Sequence, residues 1–352
     1  MTRAFWAPGR VNLIGEHTDY SGGLVLPAAL ELGVRIEGVA SDRIRLRSDH
    51  AKASVELPPS GGEASGWGRY VAAVATELDA LGRPAVGFDG HVGSTVPVGA
   101  GLSSSAALEV AVATALCAVA DFPLEPMQLA LAAQRAEQRA VGVPVGIMDQ
   151  AVSVLGVAGH AILLDTASLA HRLIPLPPEL ALVVVDSGVR HRLEDSGYAT
   201  RRRELEDALV VLGGRRPADV EPDEAAALAE ALDPVVARRL LHVVRENARV
   251  REVVDVLTTT PLDAARLGAL FRAGHESLRC DFEVSTPELD LLVDLAYRCG
   301  AVAARMTGGG FGGSIVALVD RDRADAFAGE IVAAYPAGAA RISSAAGGAR
   351  EL

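Results

Sequence analysis

Residues 8–20, PGRVNLIGEHTDY, gather a guanidinium (Arg10), two carboxylates (Glu16, Asp19), an imidazole (His17) and an amide (Asn12) around two glycines. Charges taken out of water without partners are costly, which argues against a core element. Val11, Leu13 and Ile14 would nonetheless anchor the segment to a core, so a freely solvated turn is equally poor. A tethered loop with convergent polar groups suits a small polyhydroxylated ligand.

A second cluster, residues 97–105 (PVGAGLSSS), runs straight into the apolar stretch 106–120. Gly99 and Gly101 permit close backbone approach, and amides at a helix start point at an anion with the helix dipole behind them. A hydroxyl among Ser103, Ser104 and Ser105 could ligate Mg²⁺. The segment has neither the lysine of a common P-loop nor the G-x-G-x-x-G of a dinucleotide fold. A plain glycine turn capped by serine is the alternative. Two carboxylates lie within reach of this chemistry. Glu137 shares a helical face with Ala130, Ala133 and Val141, so it is either a surface residue at the stripe's edge or an inward metal ligand. Asp149 follows a helix break, so it is either the cap of the next helix or a base or positioner for a substrate hydroxyl. Arg10 stays protonated and cannot be the base. It could hold Asp149 ionised and offset charge on a transferring phosphoryl group. Residues 307–314 carry five glycines around Phe311 against an apolar stretch, which points to backbone approaching a ligand or another part of the chain.

The elements that must position these groups follow from periodicity. Residues 24–40, 44–47, 54–57, 86–92, 161–164, 181–185 and 315–319 read as strands. Helices are expected at 67–81, 106–120, 126–141, 201–211, 267–278 and 287–299, with the mostly helical 215–263 as surface packing. The proline- and leucine-rich residues 169–180 are the expected crossing between two domains. The remaining histidines and the three cysteines read as structural, since no zinc or disulfide pattern is present.

The chain has 352 residues, half of them hydrophobic, which suits a folded protein with room for two domains. A net charge of −12 disfavours nucleic acid or an anionic membrane as a partner. No leader peptide or membrane span is expected, which gives a soluble, cytoplasmic enzyme.

Three separated motifs then coincide: residues 8–20, residues 97–111 (PVGAGLSSSAALEVA) and residues 306–314 (MTGGGFGGS). With GIMDQ at 146–150, SGVRH at 187–191 and YATRRR at 198–203, the chain resembles the galactokinases of the GHMP small-molecule kinase family from residue 8 to about residue 319. The resemblance implies an α/β (α+β) fold of two lobes, with mixed sheets and helices and the active site in the cleft between them. The lobes would be residues 1–172 and 173–352. It implies ATP-dependent phosphorylation of the anomeric hydroxyl of D-galactose, with Arg10 stabilising the transition state and Asp149 as base or positioner. Glu16, His17, Thr18, Asp19, Gly146 and Tyr198 would contact the sugar. Gly99, Ala100, Gly101, Leu102, Ser103, Ser104 and Ser105 would cradle ATP, with Ser105 and Glu137 holding Mg²⁺. Trp67 resembles an aromatic near the adenine in relatives, and Ser21 departs from the usual Asn. No obligatory protein partner is implied. The rival readings are a kinase for a related sugar and a silent sensor. The intact Ser105-Ala106-Ala107, Arg10 and Asp149 weigh against the sensor.

Overall fold

The computed structural model describes residues 1–190 and 197–352, so His191 of the SGVRH stretch lies outside the described residues. The chain begins with β1 (Arg3–Asn12), where Phe5, Ala7 and Val11 alternate into the core at the period of a strand. There follow β2 (Leu24–Val25), β3 (Pro27–Ser41), β4 (Ile44–Ser48), β5 (Ala51–Leu57), α1 (Gly68–Ala80), β6 (Gly87–Ser94) and α2 (Ser104–Val119). Next are α3 (Pro126–Val141), α4 (Met148–Leu155), β7 (His160–Asp165), β8 (His171–Pro175) and β9 (Leu180–Asp186). The C-terminal part contains α5 (Tyr198–Leu209), α6 (Pro222–Ala229), α7 (Pro234–Thr258), α8 (Ala264–Cys280) and α9 (Pro287–Arg298). It closes with β10 (Ala303–Thr307), β11 (Ser314–Asp320), α10 (Ala324–Ala334), β12 (Ala339–Ser343) and β13 (Arg350–Glu351).

Six strands form a mixed sheet in the order β13-β1-β3-β6-β4-β5, in which β4 and β6 are parallel. Phe5, Ile36 and Phe88 of that sheet pack with Val71 and Leu78 of α1 and Val110 and Leu116 of α2. Helix α2 is apolar on nearly every side because it lies between the sheet and its neighbouring helices. A second, antiparallel sheet runs β10-β11-β9-β12, and a third, smaller one runs β2-β7-β8. β13 pairs with β1, so the C-terminal residues return to the first sheet.

Two expectations are corrected. Residues 8–20 are not excluded from the core: Arg10, Asn12, Glu16, His17 and Thr18 are all buried. The charges are tolerated because partners from distant elements meet them, as described below. Nor are residues 234–258 surface packing: α7 buries Arg239, His242, Glu246 and Asn247 behind the polar segment. The strand β10 at residues 303–307 was not expected, and it leads directly into the glycine run.

Candidate active site

The register between β1 and β3 shifts between Pro8 and Arg10, and this irregularity aims the guanidinium. A Cβ at Gly9 would lie 2.6 Å from the Leu102 carbonyl oxygen, so the glycine lets the serine loop seat on the strand. The Arg10 N–H donates to that same oxygen at 3.2 Å. Its side chain reaches the other way: Nε donates to Asp149 Oδ1 at 2.7 Å and Nη1 to the Gly101 carbonyl at 2.6 Å.

Asp149 stands in the first turn of α4, but it does not cap that helix. Its second oxygen, Oδ2, accepts from Ser103 Oγ at 2.5 Å. Ser103 in turn occupies the N-cap position of α2 in a left-handed conformation (φ 58°) and makes no capping hydrogen bond. The serine-cap alternative is therefore corrected: the hydroxyl is committed to Asp149. Ser105 Oγ donates to Glu137 Oε1 at 2.7 Å, and Glu137 is buried, which removes its surface alternative. Burial raises the Glu137 pKa, and the nearby Asp149 adds to the rise, against the hydrogen bonds from Ser105 and Gln150.

The five-glycine run is what lets the C-terminal half close on the loop at residues 97–105. A Cβ at Gly308 would fall 3.0 Å from the Gly101 oxygen, and one at Gly313 would fall 3.2 Å from the Ala100 oxygen. Ser314 Oγ donates to the Ala100 oxygen at 2.7 Å, so the two loops are hydrogen-bonded.

These elements enclose a cavity of about 260 Å³. Arg10, Asp149, Glu137, Gly99, Gly101, Leu102, Ser103, Ser104 and Ser105 line it, as do Glu16, His17, Asp19, Gly146 and Tyr198. Two expected residues stand outside the lining. Ala100 is buried beneath it, and the fully buried Thr18 spends its hydroxyl on the Gly15 and Leu24 carbonyls, which fixes the turn. Thr18 is thereby corrected from a ligand contact to a scaffold of the loop. Trp67 donates Nε1 to the Ala53 oxygen at 2.9 Å and packs on the first sheet's core.

Burial raises the Asp19 carboxyl to about 7, the nearby Asp149 charge adding to the effect and Arg10 opposing it. A Cβ at Gly146 would lie 1.7 Å from Asp19 Oδ2, so only glycine fits there. Gly146→Ala is accordingly expected to displace Asp19 and to raise at least tenfold the dissociation constant of a small molecule held in this cavity, which isothermal titration measures. His17 has φ 64° and stacks on Phe282 at 4.5 Å, while its Nδ1 meets Tyr20 Oη at 2.9 Å. Burial lowers its pKa to about 3, with His242 adding to the effect, so the imidazole is neutral. Its Nε2 is buried with no hydrogen bond among the described residues.

Two buried clusters stand behind these residues and were not found from the sequence. Arg305 Nη2 lies 2.7 Å from both Glu16 Oε2 and Glu246 Oε1. Burial raises Glu16 to about 7, with Arg305 opposing and Glu246 reinforcing. Burial acts to raise Glu246 too, but Arg305 and Arg249 outweigh it and hold that carboxyl below the usual range. In the second cluster, Gln150 Nε2 donates to Glu137 Oε2 at 2.5 Å and to Glu109 Oε2 at 3.2 Å. Burial, reinforced by Glu137, raises Glu109 well above the carboxylate range. Both clusters had a signal in the sequence. Glu109 is a lone charge in the most apolar helix, and Glu246 falls three residues after Val243 on the stripe that continues to Val250.

Three family profiles match the chain: the galactokinase galactose-binding signature over residues 2–38, the GHMP kinases N-terminal domain over 69–157 and the GHMP kinases C-terminal domain over 259–337. A galactokinase from Chloroflexus aurantiacus is 43% identical over 350 residues, covering 95% of this chain and 88% of the relative. The chain belongs to the galactokinases of the GHMP kinase family. A galactokinase from Thermococcus kodakarensis is 40% identical, covering 94% of this chain and 93% of its own. The crystal structure of Lactococcus lactis galactokinase complexed with galactose superposes with a TM-score of 0.93 at 29% identity, over all of this chain and 95% of that one. A mevalonate kinase at 19% identity and TM-score 0.67 shares the fold. The chain is therefore a sugar kinase with ATP as co-substrate, built on the GHMP fold.

Proposed function

We propose that the chain transfers the γ-phosphoryl group of ATP to the anomeric hydroxyl of D-galactose, giving α-D-galactose 1-phosphate and ADP. The observation that carries this reading is Asp149, held through one oxygen by Arg10 and through the other by the serine loop, on a cavity wall shared with Glu16, His17, Asp19 and Tyr198. Amides of residues 99–105 at the N-terminus of α2 take the nucleotide phosphates. Glu16, His17 and Asp19 take sugar hydroxyls, with Gly146 leaving room for Asp19. Oδ1 of Asp149 faces the Arg10 guanidinium, and the second lone pair of Oδ2, beside the one that accepts from Ser103, orients the attacking hydroxyl and receives its proton. The hydroxyl oxygen bonds the γ-phosphorus as the bond to ADP breaks, and Arg10 offsets the charge that develops. Positioning and electrostatics carry the catalysis, as is usual for phosphoryl transfer.

The buried carboxylate of Glu137 beside the Ser105 hydroxyl is a hard oxygen pair that suits Mg²⁺. When bound, it would offset phosphate charge, and Ser105 and Glu137 are the residues that would hold it. The reading extends to two lobes at residues 1–172 and 173–352 meeting at the cavity, and to a cytoplasmic protein without a nucleic-acid, membrane or obligatory protein partner. Among the described residues, no helix is long and apolar enough to cross a membrane.

Coupled ADP release with a panel of galactose, N-acetylgalactosamine, arabinose and glucose tests the substrate. Galactose should give the largest kcat/KM, and a larger value for another sugar would overturn the assignment. The pH dependence carries a second expectation. Asp19 and Glu16 both titrate near 7 and accept hydroxyl hydrogens with every lone pair only when ionised. Raising the pH from 6 to 8 should therefore lower the galactose KM several-fold, and isothermal binding of galactose across that range measures it.

A further inference from the structure

We propose that Arg305 is a positioning residue of the sugar site, holding the Glu16 carboxylate in place through a buried cluster that β10 and α7 supply. The inference rests on the assignment of Glu16 to the sugar made above. Arg305 is fully buried, and its Nη2 lies between Glu16 Oε2 and Glu246 Oε1 at 2.7 Å from each. Glu246 Oε1 also accepts the Gly15 N–H at 2.9 Å, while its Oε2 accepts from Arg249 Nε at 2.8 Å. The backbone just before Glu16 and the side chain of Glu16 are thus held by one ion cluster from the C-terminal half. Two more α7 residues grip the same loop. His242 Nε2 meets the Glu16 carbonyl at 3.2 Å, and Asn247 Oδ1 accepts the Leu24 N–H at 2.7 Å.

The seat for the guanidinium is cut in α8. A Cβ at Gly274 would fall 2.4 Å from Arg305 Nη1 and 3.0 Å from its Cζ. Glycine inside a helix is unfavourable, so close approach is the reason for it here. A buried ion cluster is often no more stabilising than apolar groups of the same volume, so stability alone does not account for this one. Glu16 also differs from a plain counter-ion. It lines the cavity, and while Oε2 faces Arg305, Oε1 has no hydrogen bond among the described residues, which leaves that oxygen for a ligand.

The strand that carries Arg305 has a second, separate set of contacts beyond it. Two residues later on β10, Thr307 Oγ1 accepts the Asn12 N–H at 2.8 Å and contacts the Asn12 carbonyl at 3.0 Å. The glycines after Thr307 are those seated on Gly101 and Ala100. One short strand therefore sets the sugar loop against the phosphate loop.

Arg305→Lys keeps the charge but replaces a planar fork with a single ammonium, which cannot reproduce the geometry at both carboxylates. Gly274→Ala keeps every charge and pushes on the guanidinium. In folded protein of either variant, the galactose KM should rise tenfold or more while the ATP KM stays within twofold. Glu16→Gln combined with Arg305→Lys should raise the galactose KM no further than Glu16→Gln alone. A galactose KM within twofold of wild type in the folded variants, or equal rises for galactose and ATP, would overturn the positioning role. Where Arg305→Lys yields no folded protein, Gly274→Ala decides by the same measure. A wild-type enzyme that turns over another sugar instead overturns the substrate assignment, and the same split is then read with that sugar.

Discussion

Asp149→Asn is expected to lower kcat by roughly three orders of magnitude, within the range typical of a lost general base, while galactose affinity changes by less than about threefold. The substitution is isosteric, and its partners can be kept. The Asn carbonyl oxygen still accepts from Arg10 Nε, and its amide faces Ser103 Oγ, which can accept as well as donate. What is lost is the negative charge and the site for the hydroxyl proton. The charge change has a second readout. Asp149 is the nearby charge that helps raise Asp19, so its removal should move the pH midpoint of galactose binding downward from near 7. Kinetics by ADP release, paired with galactose titrations from pH 5.5 to 8.5, separates the two effects. A kcat near wild type would show that Asp149 orients nothing the reaction needs.

Most of the fold was legible because local pattern and tertiary role agree. The helix over residues 126–141 carries its own stop signals, a proline at its first turn and a left-handed glycine after its last residue, and it occupies those bounds. The polar segment was misjudged because burial of a charge is decided by residues far away in sequence. Arg305 and Glu246 stand 289 and 230 residues beyond Glu16. Periodicity in one stretch carries no trace of such partners, although a carboxylate on an otherwise apolar face, as at Glu109 and Glu246, marks where to look for them. Strand β10 was missed for a related reason. Its five residues are buried on both faces, so they show no alternation, and the glycines that follow read as loop. Most of the residues that line the cavity were legible through their types. What the sequence could not show was which partner each one takes: Ser103 to Asp149 rather than to the helix, and Thr18 to its own turn rather than to a ligand.

Arg10→Lys should cost about a hundredfold to a thousandfold in kcat, an effect of about 3–4 kcal/mol on the barrier, although charge is conserved. The reason is geometric. Arg10 spans two acceptors that belong to different elements, Asp149 on α4 through Nε and the Gly101 carbonyl of the phosphate loop through Nη1. A lysine ammonium ends in one point and can serve only one of them. If it pairs with Asp149, the Gly101 carbonyl loses its donor and the middle of the phosphate loop loosens, although the Arg10 backbone N–H to Leu102, Ser314 to Ala100 and the Ser103 and Ser105 hydroxyls still hold it. If it turns to Gly101, Asp149 is left beside Asp19 without its cation, and the cost of two neighbouring carboxylates returns. Either way the charge that should face the phosphoryl group is misplaced. Because Arg10 and Asp149 act as a unit, the double variant Arg10→Lys with Asp149→Asn should lose far less than the product of the two single losses. Single-turnover rates for the four proteins complete that cycle. Multiplicative losses would mean that Arg10 and Asp149 work independently, and the shared-wall mechanism would then be wrong.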